Sequence, residues 1–234
     1  MREAAARCGP GVAVSAAEPV AEEDWAETWK RGLAAVEVSP RLLVRPSFVA
    51  PAAPVAGRAE LVIDPGQAFG TGGHESTRLA LEWVDALAPA LPAGARALDV
   101  GCGTGVLALA ALRLGAARAV AIDLDLAAAR AARENAARNG LSARCAVAAA
   151  TPAALAPARF ELVLANLLRT ELLPLLPDLA ARIAPNGHAV VSGLVAGERA
   201  EVERALAACG LRALGERTRD DLGGTRWIAL LTAR

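Results

Sequence analysis

Tyrosine is absent from these 234 residues, lysine occurs once (Lys30), and histidine twice (His74 and His188). The four cysteines, Cys8, Cys102, Cys145 and Cys209, lie far apart with no CxxC pair, so neither a structural zinc site nor a disulfide framework can be read from their spacing. No run approaches the roughly 20 apolar residues that a membrane span needs, and Met1–Val20 lacks the apolar segment of a secretory signal. An excess of charge is missing too. The 25 basic and 25 acidic side chains cancel, which excludes a grip on nucleic acid through bulk charge and leaves only a local basic face open. These absences predict a soluble globular protein of a reducing compartment, the cytoplasm, with no membrane partner and no direct nucleic-acid partner. The near-replacement of lysine by arginine, in a chain rich in alanine, reads as codon bias, since no site chemistry asks for it across a whole chain.

What is present divides the chain in two. Residues 1–57 read as an irregular arm, broken by Pro10, Pro19, Pro40, Pro46, Pro51 and Pro54, with one short helix from Glu22 to Ala35. Trp25 and Trp29, four apart, share a face of that helix and are expected to pack the arm down. Residues 58–234 become periodic. Apolar strands at 60–64, 95–100, 117–123, 143–148, 161–166 and 188–193 alternate with helices, the one at 167–184 interrupted by Pro174 and Pro177. Two closing strands near 211–218 and 225–232, separated by Gly223-Gly224, read as a hairpin. The pattern predicts an α/β fold with a doubly wound, mostly parallel sheet ending in an antiparallel hairpin.

The strongest local signal is Leu98-Asp99-Val100-Gly101-Cys102-Gly103-Thr104-Gly105, where a buried strand turns into a helix. A dinucleotide fingerprint needs a sixth-position glycine, and Val106 stands there instead. The remaining pattern, DxGxGxG, sets Asp99 beside the loop, which suits a ligand bearing positive charge such as the amino and sulfonium groups of S-adenosylmethionine. Asp123, 22 residues past Gly101 at the end of the next strand, can accept ribose hydroxyls. Asn166 ends a later strand, at the edge where such sheets bind ligands, and its carbonyl could accept an amine; a helix cap is the plainer alternative.

Beyond these residues, the run Asp64-Pro65-Gly66-Gln67-Ala68-Phe69-Gly70-Thr71-Gly72-Gly73-His74-Glu75-Ser76-Thr77-Arg78 resembles the DPGxAFGTGxHxTT signature of the bacterial ribosomal protein L11 methyltransferases. Residues 98–125 and 163–168 are similar to that family's cofactor loop, ribose acid and substrate-site asparagine. Glu23-Asp24-Trp25 through Trp29-Lys30 resembles the linker ahead of its catalytic domain. The resemblance implies a seven-stranded class I methyltransferase fold, S-adenosylmethionine as donor, and N-methylation of lysine side chains and the α-amino group of ribosomal protein L11. It places Thr77, Gly101, Asp123 and Asn166 at the cofactor, with Asn166 also at the substrate amine; Phe69, Asp99 and Gly103, read from the two loops themselves, complete the expected cofactor residues.

That chemistry implies no metal and no covalent nucleophile. Phe69 is expected to wall the amine channel, and His74 to cap or pack at its helix start rather than act as a base. About twenty residues precede Glu22, fewer than the family's ferredoxin-like recognition domain occupies, so weak or relaxed substrate choice, or dependence on a second protein, is expected. A lysine methyltransferase of another protein, such as an electron-transfer flavoprotein subunit, and a cofactor-binding module without turnover stay open as alternatives. A nicotinamide oxidoreductase is disfavoured by Val106.

Overall fold

The computed structural model describes residues 33–64 and 68–234. The expected helix with Trp25 and Trp29 lies outside the described residues apart from Leu33, Ala34 and Ala35, which are not helical. Ala34–Arg234 forms one compact unit. Its first elements correct the reading of irregular chain. Strands β1 (Val36–Ser39) and β2 (Leu42–Arg45) make a tight antiparallel hairpin, and β2 runs parallel to β3 (Ala59–Val62). Pro40 sits in the hairpin turn and Pro46 just follows β2, so these prolines bound the strand rather than break it. Every residue of β2 is buried, including Arg45, whose guanidinium reaches Glu60 Oε1 at 2.8 Å and the Val49 carbonyl at 2.7 Å.

The remaining elements are α1 (Glu75–Leu87), β4 (Arg96–Val100), α2 (Val106–Arg113), β5 (Arg118–Asp123), α3 (Leu126–Arg138), β6 (Cys145–Ala149), β7 (Phe160–Asn166), α4 (Arg169–Arg182), β8 (Ile183–Val195), α5 (Arg199–Ala208), β9 (Arg212–Asp220) and β10 (Arg226–Ala233). Seven strands pair in the order β6-β5-β4-β7-β8-β10-β9, and β10 alone runs against its neighbours. The expected doubly wound sheet with its closing hairpin is therefore present. Helices α1, α2 and α3 contribute to the core on one face, and α4 and α5 to the core on the other. Helix α2 is buried from Val106 to Leu112, which is why it is apolar all round. Helix α4 is not interrupted as expected. Pro174 and Pro177 are exposed while Leu172, Leu176, Leu179 and Ala180 are buried, so the backbone acceptors freed by the prolines open toward water and the helix continues.

One feature joins the small sheet to the main one. On its side away from β2, β3 and the residue pair beyond it leave the amide and carbonyl groups of Val62 and Asp64 without a strand partner. Asn139 Oδ1 accepts from Val62 N at 3.0 Å, and Asn139 Nδ2 donates to Val62 O at 2.7 Å. Asn135 repeats the pattern on Asp64, accepting from its amide and donating to its carbonyl, both at 3.0 Å. The match is geometric: four helical residues rise about 6.0 Å, and two strand residues advance about 6.6 Å. Two side-chain amides one turn apart thus serve β3 as a substitute strand. Asn139→Ala should strip both partners from Val62 and lower stability by about 1–3 kcal/mol, read as a lower urea midpoint at unchanged slope. An unmoved midpoint would mean that water replaces the amide without loss.

Candidate functional site

The order of the sheet reverses at β4, because the chain builds outward through β5 and β6 and then returns to β7 on the other side. Ligands bind in the crevice such a reversal opens at the carboxyl ends of the strands. The loop after β4 turns there through three left-handed glycines, Gly101 (φ 67°), Gly103 (φ 52°) and Gly105 (φ 80°). At Gly103 the requirement is double, since a Cβ would also collide with the Phe69 carbonyl. That carbonyl accepts the Thr104 amide at 3.0 Å, so the glycine loop and the loop 68–73 are locked together.

Asp123, at the end of β5, fixes the glycine loop from the other side. Its Oδ2 accepts from Gly103 N at 2.9 Å and its Oδ1 from Asp125 N at 3.0 Å, which leaves each oxygen a further lone pair. Asp99 behaves differently from expectation. It does not border the cavity but is buried under the loop, with Oδ2 accepting the Ala108 amide in the first turn of α2 at 3.0 Å and Oδ1 buried without a partner among the described residues. Burial pushes its carboxyl up to about 7; the Ala108 amide opposes this, and the charge of Asp123 adds to it. Burial likewise pushes the Cys102 thiol up, reinforced by Asp99 and Asp123, so it stays protonated and is no nucleophile.

Asn166 ends β7 across the crevice. Its Nδ2 donates to Thr77 Oγ1 at 3.0 Å, and its Oδ1 is buried without a partner among the described residues. Thr77 lies in the first turn of α1, whose cap is His74: His74 Nδ1 accepts from Ser76 N at 3.2 Å. The capping expectation for His74 describes this geometry. The His74 ring also meets Phe69 edge-on at 5.2 Å and Trp227 edge-on at 4.7 Å, building an aromatic wall in which Phe69 is more than half exposed.

Phe69, Thr77, Gly101, Gly103, Asp123 and Asn166 all border one cavity of about 450 Å³, together with Trp227, Glu171 and Asp125. The last three were not singled out from sequence. For Trp227 a signal existed: β10 runs antiparallel, so its first residues must lie at the carboxyl ends of the parallel strands, on the ligand rim. Among the described residues the lining holds three carboxylates, Asp123, Asp125 and Glu171, and no arginine or lysine. A pyrophosphate would find no countercharge there, whereas a cationic sulfonium with ribose hydroxyls fits both the charge and the free acceptors of Asp123 and Asn166.

Asp99 yields a prediction of its own. Its proton is held more tightly in the folded chain (about 7) than in the unfolded one (3.8). Its contribution to stability is therefore full below about pH 4 and is lost as pH rises toward 7. Asp99→Asn removes that slope, so the variant should gain stability relative to the parent as pH rises from about 4 to about 7 in urea titrations. A difference that ignores pH would show that Asp99 ionises like an exposed carboxylate.

The family model described as ribosomal protein L11 methyltransferase (PrmA) matches residues 6–231. The ribosomal protein L11 methyltransferase of Symbiobacterium thermophilum is 40% identical over 215 residues, 92% of this chain and 67% of that protein. That of Geobacter metallireducens is 40% identical over 210 residues, 90% of this chain and 66% of its own. The chain thus spans about two thirds of the length of these curated relatives. The crystal structure of the ribosomal protein L11 methylase from Lactobacillus delbrueckii subsp. bulgaricus superposes with a TM-score of 0.75 at 31% identity, covering 86% of this chain and 98% of that one. With a seven-strand order of the class I methyltransferase type, a glycine loop facing an asparagine across the switch point, and a family match over nearly its whole length, the chain belongs to the ribosomal protein L11 methyltransferase family.

Proposed function

We propose that this chain methylates amino nitrogens of ribosomal protein L11, both lysine side chains and the α-amino group, with S-adenosylmethionine as donor. S-adenosylmethionine is the methyl donor of the family. When bound, it supplies a methyl group already made electrophilic by the adjacent sulfonium. The observation that carries the reading is the Asn166 amide, tied through Nδ2 to Thr77 and carrying a buried, unpartnered Oδ1 at the cavity wall. A buried acceptor without a partner is costly, and an amine N–H would satisfy it.

In this reading Asn166 aims the amine nitrogen, and Asp123 accepts the ribose hydroxyls. Thr77, Gly101 and Gly103 line the cofactor, while Asp99 works from beneath by holding the start of α2. Phe69, His74 and Trp227 exclude water from the amine channel. The carboxylates Asp123, Asp125 and Glu171 draw in the ammonium form; partial burial against the aromatic wall opposes them and lowers its proton affinity, and the proton passes to solvent water before the nitrogen attacks. Such positioning supplies several kcal/mol, up to about 7–11 in ideal cases. His74 Nδ1 is engaged in its cap, which supports a wall residue over a general base. A ribosomal-protein substrate sets the reaction in the cytoplasm, and no helix among the described residues is long and apolar enough to cross a membrane.

The direct test is transfer of label from methyl-labelled cofactor to isolated ribosomal protein L11; no incorporation would overturn the substrate. Two variants test the roles. Asp123→Ala should weaken cofactor binding, each lost charge-assisted hydrogen bond being worth about 1.5–3 kcal/mol. Asn166→Ala should lower kcat roughly 10- to 100-fold with little change in cofactor affinity, because its contact is strongest when the nitrogen attacks. Unchanged turnover would return Asn166 to a structural role.

A further inference from the structure

We propose a second site, for linked phosphate groups, at the end of the sheet opposite the cofactor cavity. Its centre is a row of arginines at the starts of three adjacent strands. Arg96 and Arg118 stand directly opposite each other in the β4–β5 register. Arg144 comes next in the row, since Ala119 pairs with Cys145 and the Ala119 amide donates to the Arg144 carbonyl at 2.8 Å. Ala97 and Ala119, which follow the two strand arginines, belong to the core beneath α2 and α3, so Arg96 and Arg118 point to the opposite face, and Arg144, in the turn just before β6, borders the same cavity. Neighbouring strands are about 4.8 Å apart, which brings three guanidinium stems within about 10 Å of one another.

Like charges directly opposite one another destabilise a sheet, and little offsets them here. Arg96 has Glu161, at 3.8 Å, and lies over the Phe160 ring. The guanidinium groups of Arg118 and Arg144 have no hydrogen-bond or ion-pair partner among the described residues. All three side chains are exposed and border a cavity of about 280 Å³ whose walls include Val120, Ala146 and Phe160. The cavity exists because the crossover from β6 to β7 carries one short helical turn, Pro152–Ala154, so among the described residues no long helix covers this part of the face. An adjoining cavity adds the charge of Arg159 and Arg182, whose guanidinium groups also donate to the carbonyls of Ile183 and of Pro152, Leu155 and Ala156, against one carboxylate among the described residues, Asp178. Five arginines (Arg96, Arg118, Arg144, Arg159 and Arg182) thus meet two carboxylates, Glu161 and Asp178, in a chain whose total charge is zero.

Arginine forks match phosphate oxygens, and a row of them matches phosphates that come linked, as in a polyphosphate or an RNA backbone. The partly apolar wall leaves room for the organic part of a nucleotide. Because the row is at the amino ends of the strands, occupancy there would not compete with a ligand at the carboxyl ends, roughly 15–20 Å away along a six-residue strand.

The test uses the full chain, a short fluorescein-labelled oligoribonucleotide, inorganic triphosphate and a poly-glutamate peptide. Anisotropy should show saturable binding of the RNA, displaced by triphosphate but not by poly-glutamate. Three neutralised phosphates imply a log–log salt slope of about −2 for a single strand. The double variant Arg118→Gln/Arg144→Gln should weaken binding at least about tenfold while cofactor affinity, measured by calorimetry, holds. Triphosphate binding that is lost in the variant, without RNA binding, would keep the site and identify free polyphosphate as its source. Binding of neither probe, equal binding by the variant, or equal displacement by poly-glutamate would overturn the proposal.

Discussion

Two loops from distant parts of the chain approach each other so closely that one backbone carbonyl, that of Phe69, occupies the space where a side chain at position 103 would begin. On that contact the rest of the site depends. The Phe69 carbonyl receives the Thr104 amide, Asp123 receives the Gly103 amide, and the loop is thereby held between two anchors while its cavity side stays open. The amide pair Asn135 and Asn139 fixes the segment that feeds the Phe69 loop, so α3 braces both partners of the contact: Asn135 Nδ2 also donates to the Thr104 carbonyl at 3.1 Å. A single helix side chain therefore touches the backbone leading into one loop and the backbone of the other. Pre-organisation of this kind lowers the ordering cost of binding.

Electrostatics divides the molecule along its strands. The carboxyl ends carry Asp123, Asp125 and Glu171 around a cavity to which the described residues bring no arginine or lysine, and the amino ends of β4, β5 and β6 carry or follow arginines. A formal charge of zero conceals both. What matters to a ligand is the charge within about one Debye length, near 8–10 Å, and on that scale the two ends present opposite signs.

Much of this was legible from residues alone, and the exceptions have physical causes. The alternating apolar segments from residue 95 onward announced the wound sheet, and the spacing from Gly101 to Asp123 announced two neighbours at the crevice. Strands β1 and β2 escaped because each is four residues long, too short for a period, and because Pro40 and Pro46 look alike in sequence whether they end a strand or break one. Sequence alone interrupts α4 at Pro174 and Pro177, because it does not say which face meets water. Asp99 was read as facing the ligand, although a strand alternates sides: Leu98 and Val100 join one core, and Asp99 points the other way, beneath α2.

Trp227 shows how topology recruits residues that no local motif contains. Its hairpin lies at the far end of the chain from the Phe69 loop, yet the reversal of β10 returns that strand's first residues to the ligand edge. There the Trp227 ring is fixed twice, by Nε1 donating to Asp221 Oδ2 at 3.0 Å and by edge contact with His74. His74 in turn caps α1, the helix that carries Thr77 and so orients Asn166. The aromatic wall and the amide that faces the cavity are thus coupled through one helix start. A shift of the hairpin would reach Asn166 through His74 and Thr77 without altering any residue of the glycine loop, which is why an antiparallel strand two places from β7 belongs to the site as much as the loop that announces it.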